Sequence, residues 1–304
     1  MVQARLAAVR ERPVRILIYQ DSWNGMSGTG RCDCAVEVSR DRSQWEAADA
    51  IVFHLPQLRT SGLPPRKRRG QVWVALCVES AVHYPLLASR AQLGGVFNLW
   101  MTYQRDADVW CPYFGPNTPA ALASEPAEKR EPVPAAAFIS SAWDGSGRAA
   151  LLAELMRHMP VDSYGALHRN RTIANDDGAP SKRRTIARYR FTLAFENAID
   201  RDYVTEKFFD PLAAGSVPVY LGAPNAEAFA PGNDCFIDAT HYPSPRALAE
   251  HLLALAADEA AYARYLRWKT EPLRPSFLAM VEEVRHSALC RLASLVGLTP
   301  ARSA

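Results

Sequence analysis

Short apolar runs, closed by polar or turn-forming residues, recur along the chain and set its elements. VRILIYQ (14–20), CAVEVSR (34–40), AIVFHLP (50–56) and VWVALCVES (72–80) read as strands, with a short helical turn at SQWEAAD (43–49). In the second half AAFISSAW (136–143) is a strand, 144–159 runs into an amphipathic helix, and VDSYGALHRN (161–170) begins as a strand. The pattern is densest at 188–225. There FTLAF (191–195) is a strand, polar residues follow, and a helix is predicted over 203–214. Gly215 and Ser216 stop that helix, and VPVYLG (217–222) is the next buried strand. Beyond it come a short strand at CFID (235–238), a serine-capped helix over 244–258, a helix over 259–269 and one long closing helix over 277–297.

Strands alternating with helices predict the α/β class. In a strand–loop–helix–strand unit the helix N-terminus lies beside the carboxyl ends of strands, where free backbone N–H groups attract anions. Asn197, Tyr203, Glu206 and Lys207 gather at that point, and the spacing lets Glu206 and Lys207 share a helix face with Tyr203. The segment 117–134 holds four prolines among charged residues and reads as a linker. It divides the 304 residues into domains 1–130 and 131–304.

Composition narrows the partners. A net charge of +3 is too small to argue for a nucleic-acid binder. PPRKRRG (64–70) is locally basic, a surface turn or an aid to peripheral association with anionic membrane surfaces, and SKRR with Arg188 and Arg190 raises the potential ahead of the anion site. No apolar run reaches the length of a membrane span, and the first ten residues lack the apolar core of a signal peptide. GMSGTG (25–30) does not match a dinucleotide fingerprint. Of six cysteines, Cys32 and Cys34 have the wrong spacing for a zinc knuckle, while Cys77 and Cys235 sit in or beside apolar runs as small buried hydrophobes.

The string FTLAFENAIDRDYVTEKFFDPLAAGSVPVYLGAPN (191–225) resembles the signature of the α1,3/α1,4-fucosyltransferases, glycosyltransferase family 10. The likeness extends through 236–272 and upstream to about Gln71. Glu79-Ser80-Ala81 and FNLWMTYQRDAD (97–108) are similar to the family's Glu-Ser-Pro and FNW…YR.DSD segments, with alanine in place of the proline. The resemblance implies a GT-B-like fold, two facing Rossmann-like domains with a cleft between them. It implies inverting transfer of L-fucose from GDP-β-L-fucose to a glycan hydroxyl. The expected acceptor is the GlcNAc of a galactosyl-N-acetylglucosamine unit, giving an α1,3 or α1,4 linkage. Core fucosylation of N-glycans, another nucleotide-sugar donor and non-catalytic glycan binding are the alternatives.

Residue by residue, the resemblance gives Glu79 the role of base. A strand-end glutamate facing water is its other reading, although its place at the close of an apolar run suits a base. Arg148 and Lys207 would neutralise charge on the leaving diphosphate, Arg148 being otherwise a surface helix residue. Glu206 and Tyr203 would bind ribose or fucose hydroxyls, and Asn197 would hold the donor or fix its loop. Asp106 and Asp108 are the next carboxylates to consider. No metal is expected, and the two cations make a divalent ion non-obligatory without excluding stimulation by one. The family often has a carboxyl-terminal Cys-x-x-Cys. Here Ser287-Ala-Leu-Cys290 lacks one partner, so that disulfide cannot form, which fits a reducing compartment. Together with the missing anchor this predicts a cytoplasmic, bacterial-type member, Golgi-luminal only if an anchor was removed.

Overall fold

The computed structural model describes residues 12–20, 32–58, 62–93 and 95–298. The glycine loop at 25–30 lies outside them. The chain divides into two compact units, Met1–Pro112 with Glu283–Ala304, and Tyr113–Glu282.

The first unit is built on a six-stranded sheet in the order β2-β1-β3-β4-β5-β6. The strands are β1 (Val14–Ile18), β2 (Val36–Ser39), β3 (Ala50–His54), β4 (Val72–Cys77), β5 (Leu99–Thr102) and β6 (Val109–Trp110), and every pairing is parallel. A parallel sheet must be covered on both faces, so its central strands read as unbroken apolar runs. On one face Ile16, Val52, Val74 and Met101 pack against Leu289, Leu292, Ala293 and Val296 of the helix Ala288–Leu298. Each fully buried side chain of this size contributes about 1.5–3 kcal/mol. Phe53 anchors an aromatic cluster with Trp73 and Phe97, at ring separations of 5.0 and 5.8 Å. The basic turn is tied down: Arg68 donates to the carbonyls of Glu46 and Ala48, and Lys67 to that of Val96.

The second unit holds a five-stranded parallel sheet in the order β11-β10-β9-β7-β8. Its strands are β7 (Ala135–Ala137), β8 (Val161–Ser163), β9 (Phe191–Phe195), β10 (Val217–Leu221) and β11 (Ile237–Asp238). Helices Arg148–His158 and Pro245–Ala257 belong to the core formed with Phe191, Leu193, Val217 and Val219. Both units thus have the α/β character read from the sequence.

Five expectations change. The compact units part at residue 112, not 130. Residues 117–134 are not a free linker: they include a helix, Thr118–Leu122, and Lys129 donates to the carbonyls of Ala187 and Gly215 in the second unit. The closing helix is two helices, Pro275–Glu283 and Ala288–Leu298. Ser287 opens the second by accepting the Cys290 amide at 3.2 Å. The predicted 259–269 helix ends at Arg264, followed by a 3-10 turn at Arg267–Thr270. Finally, Cys290 is not left without a partner. It forms a disulfide with Cys32 across 258 residues of sequence. The helix carrying Cys290 packs on β1, next to the strand that Cys32 precedes, so the fold supplies a partner that the Cys-x-x-Cys pattern could not reveal. Cys77 and Cys235 are buried as read, and burial pushes each thiol up to about 12.

Candidate functional site

In the second unit the site forms where β9 ends and the helix Glu206–Ala214 begins. The polar loop between them turns back through Asp202, which takes a left-handed φ of 67°. Asn225 stabilises that turn by accepting the Asp202 amide (2.9 Å) and donating to its carboxylate (2.8 Å). The chain then extends at Thr205, the N-cap, whose hydroxyl accepts the Lys207 amide. This return lays Thr205 over Glu196. One Glu196 oxygen accepts the Thr205 amide at 2.7 Å, and the other accepts the Thr205 hydroxyl at 2.8 Å.

Lys207 completes the arrangement. Its Nζ lies 3.1 Å from the Thr205 hydroxyl, 3.2 Å from Glu206 and 3.4 Å from Glu196. Glu196 is fully buried, and burial raises its pKa, with Lys207 and the Thr205 bonds opposing. Burial also disfavours the charged forms of Glu206 and Lys207. Opposite charge outweighs it: Lys207 and then Lys182 leave the Glu206 pKa lowered, and Glu196 and then Glu206 leave that of Lys207 raised. The start of the helix therefore holds one ammonium between two carboxylates, where the helix dipole favours negative charge.

The five predicted donor residues all fall in this unit, in settings that differ from the expectation in part. Arg148 is buried at 2% exposure rather than lying on a surface. Its guanidinium donates to the carbonyls of Phe195, Ser141 and Trp143, tying the 141–143 loop to the end of β9. Those bonds use three of its five N–H groups, and its Nε is buried without a partner among the described residues. Burial lowers its pKa while Asp144, Glu196 and Tyr203 raise it, so these groups are its electrostatic neighbours. Asn197 is buried directly after Glu196.

Tyr203 is not on the helix. The helix starts at Glu206 because Thr205 is held extended as its cap, so the shared face predicted for 203, 206 and 207 does not form. The Tyr203 ring is packed edge-on against Tyr113, and its carbonyl accepts the Tyr220 hydroxyl. Sequence reasoning missed Glu196 and Thr205 as site residues. Their signal was available: a glutamate closing an all-buried strand, followed by a threonine at a helix start.

In the first unit Glu79 lies just past β4, half-buried. The Ser80 hydroxyl accepts the Val82 amide, and the Ser80 carbonyl accepts the amides of His83 and Tyr84. Ala81, standing where the family motif has proline, uses its amide to donate to the buried Tyr103 hydroxyl at 2.9 Å. A proline would have no N–H to give, so the lost ring is replaced by a hydrogen bond. His54, at the end of the neighbouring strand β3, and Tyr84 both lie within the electrostatic reach of Glu79. Asp108 accepts the Trp100 amide at 2.7 Å and Asp106 pairs with Arg90, so these carboxylates have separate structural partners.

Two parallel-sheet α/β units of this kind belong to the GT-B class of glycosyltransferase folds. The structure is similar to a crystal structure of an α1,3-fucosyltransferase with GDP, at a TM-score of 0.63 and 12% identity, covering 98% of this chain and 93% of that one. It is likewise similar to an α1,3-fucosyltransferase with GDP-fucose, at a TM-score of 0.55 and 15% identity, covering 98% and 94%. In sequence, residues 127–302 match glycosyltransferase family 10 (fucosyltransferase), C-terminal part, and residues 11–114 match the fucosyltransferase N-terminal family. The chain belongs to glycosyltransferase family 10. A fucosyltransferase-like protein of Arabidopsis thaliana is 39% identical over 262 residues, which is 85% of this chain and 47% of that relative. Human alpha-(1,3)-fucosyltransferase 7 is 38% identical over 254 residues, 80% of this chain and 68% of the relative. The chain thus spans about half the length of the plant protein and two thirds of the human one.

Proposed function

We propose that this protein transfers L-fucose from GDP-β-L-fucose to a glycan hydroxyl, with inversion at carbon 1, giving an α1,3 or α1,4 linkage. The GlcNAc of a galactosyl-N-acetylglucosamine unit is the proposed acceptor. The observation that carries the reading is Lys207, an ammonium at the start of the 206–214 helix in a chain of this family. Relatives named as fucosyltransferases and solved relatives with GDP or GDP-fucose support the donor.

Direct displacement needs a base on the acceptor and positive charge on the leaving diphosphate. Glu79 is proposed as the base. Lys207 and the open donors of Arg148 are proposed to bind the diphosphate, and Glu206, Tyr203 and Asn197 to line the donor. These cations make a divalent ion dispensable, and an assay with chelator tests for stimulation by one. Among the described residues no helix is long and apolar enough to cross a membrane. For the compartment, the Cys32–Cys290 disulfide favours oxidising surroundings over the cytoplasm expected from sequence.

The experiment is a donor and acceptor panel with linkage analysis, run on wild type and Glu79→Gln. GDP-fucose should be the preferred donor. Glu79→Gln should lose turnover by about a hundredfold or more while binding GDP as wild type does, since general-base help is worth about 10²–10⁴ in rate. Wild-type turnover in Glu79→Gln would remove the base assignment. Preference for another nucleotide sugar, or binding of glycan without transfer, would select one of the alternatives.

A further inference from the structure

We infer that GDP binding is coupled to uptake of one proton by Glu196, a positioning residue that releases Lys207 and the Thr205 hydroxyl to the diphosphate. The inference rests on the proposed donor reading of this site.

An ammonium has three N–H donors. In this structure Lys207 faces three protein oxygens, on Thr205 (3.1 Å), Glu206 (3.2 Å) and Glu196 (3.4 Å). The Thr205 and Glu206 contacts are hydrogen bonds and the Glu196 contact is an ion pair, and a diphosphate that draws Lys207 toward itself weakens all three. Glu206 is half-exposed and water can replace what it loses. Glu196 has no such recourse, being fully buried. Nor can it swing aside. A Cβ on Gly222 would lie 2.6 Å from the Glu196 Cγ, so β10 and its following turn close over the side chain. A buried carboxylate deprived of its counter-charge and faced with new negative charge neutralises rather than remaining ionised.

The groups facing Glu196 agree with that outcome. From the 206–214 helix come Lys207, whose charge the ligand would draw away, and Glu206, a like charge. From the 148–158 helix comes Arg148, a cation whose open donors the ligand would also engage. From β10 comes Tyr220, kept neutral by burial and by Glu196 itself. The proton adds to the Oε2 carboxylate oxygen, converting the anion to the acid with no other bond made or broken. It comes from the buffer. The acid then donates to the Thr205 oxygen, at the 2.8 Å separation already present. The direction of that hydrogen bond reverses, and the threonine O–H turns outward as a donor to phosphate.

The test is calorimetric titration of the full chain with GDP at pH 7.5, in HEPES and in Tris. At that pH the terminal phosphate, with its last ionisation near about 6, is already fully charged. The buffers differ in ionisation enthalpy, so the slope of observed enthalpy against it counts protons. The expected result is uptake of about half to one proton in wild type, and none in Glu196→Gln, which mimics the acid and still binds GDP. By linkage, wild-type affinity should fall about three- to tenfold per pH unit between 7.5 and 8.5. If Glu196→Gln does not fold, the wild-type slope and pH dependence decide alone. Tight GDP binding with no proton uptake, or uptake that persists in Glu196→Gln, overturns the inference. Absence of GDP binding in wild type would instead refute the donor reading beneath it.

Discussion

The helix Glu206–Ala214 is held at its two ends by opposite chemistry. At its start, one lysine stands between two glutamates and a capping hydroxyl. At its end, two lysines donate to main-chain carbonyls. Lys269 binds those of Leu212 (3.0 Å) and Leu122 (2.7 Å), and Lys129 binds those of Gly215 (2.6 Å) and Ala187 (2.8 Å). Both ends obey the helix dipole, with acids near the N-terminus and cations near the C-terminus. They differ in what they can exchange. The Lys207 bonds go to side chains, and its own flexible stem lets the ammonium exchange them for an anion. The Lys129 and Lys269 bonds go to the main chain, which does not rearrange. Hence the start of the helix is suited to binding and its end to holding the helix in place.

Lys207→Met is the strongest way to break that contrast. It removes the only ammonium of the first turn, and loss of a charged hydrogen bond of this kind costs about 2–4 kcal/mol, or about 30- to 1,000-fold in GDP affinity. Calorimetry well below the melting temperature is the measurement. An unchanged affinity would mean that the first turn does not bind the diphosphate.

Lys269→Met sharpens the contrast from the other side. The Leu122 carbonyl loses its donor and the Leu212 carbonyl keeps only the Gly215 amide, which costs about 1–3 kcal/mol of stability. The melting temperature should fall, while GDP affinity measured on the folded protein should stay within about twofold of wild type. A loss of affinity comparable to that of Lys207→Met, with the fold intact, would erase the distinction between the two ends.

The same contrast explains what was legible in the sequence. Asn197, Tyr203, Glu206 and Lys207 lie within a dozen residues of one another, so a contiguous string identifies them together. The α/β class and most strand positions were legible for a similar reason, because buried parallel strands leave unbroken apolar runs such as AIVF and FTLAF. What escaped is set by residues distant in sequence. Lys129 and Lys269 reach the helix end from 86 and 57 residues away, and Cys32 meets Cys290 across 258. No local pattern marks such partners. The start of the 206–214 helix was misplaced by a smaller version of the same effect. Thr205 becomes the cap because Glu196, nine residues earlier, takes its amide.

The smallest expected effect follows from the state of the two lysines at the helix end. Burial pulls both down to about 8, and for Lys129 the charges of Arg190 and Lys269 add to it. In the unfolded chain each titrates near about 10.4. Between those values the unfolded state binds more protons than the folded one, so stability gains from these groups as pH rises through 8. Below 8 both states are protonated and the cost of burying charge is fully present. The bonds to carbonyls persist on deprotonation, because a neutral amine still donates. Discounted for solvent screening, the gain between pH 7 and 9 should be about 0.5–1 kcal/mol. It is measured as the difference in melting-temperature change between wild type and the Lys129→Met/Lys269→Met double variant over that range, since other groups titrate alike in both. Wild type should gain on the variant as pH rises. Were wild type to lose ground instead, the lysines would be holding the helix end by charge rather than by hydrogen bonding, and both ends of the helix would then be electrostatic devices.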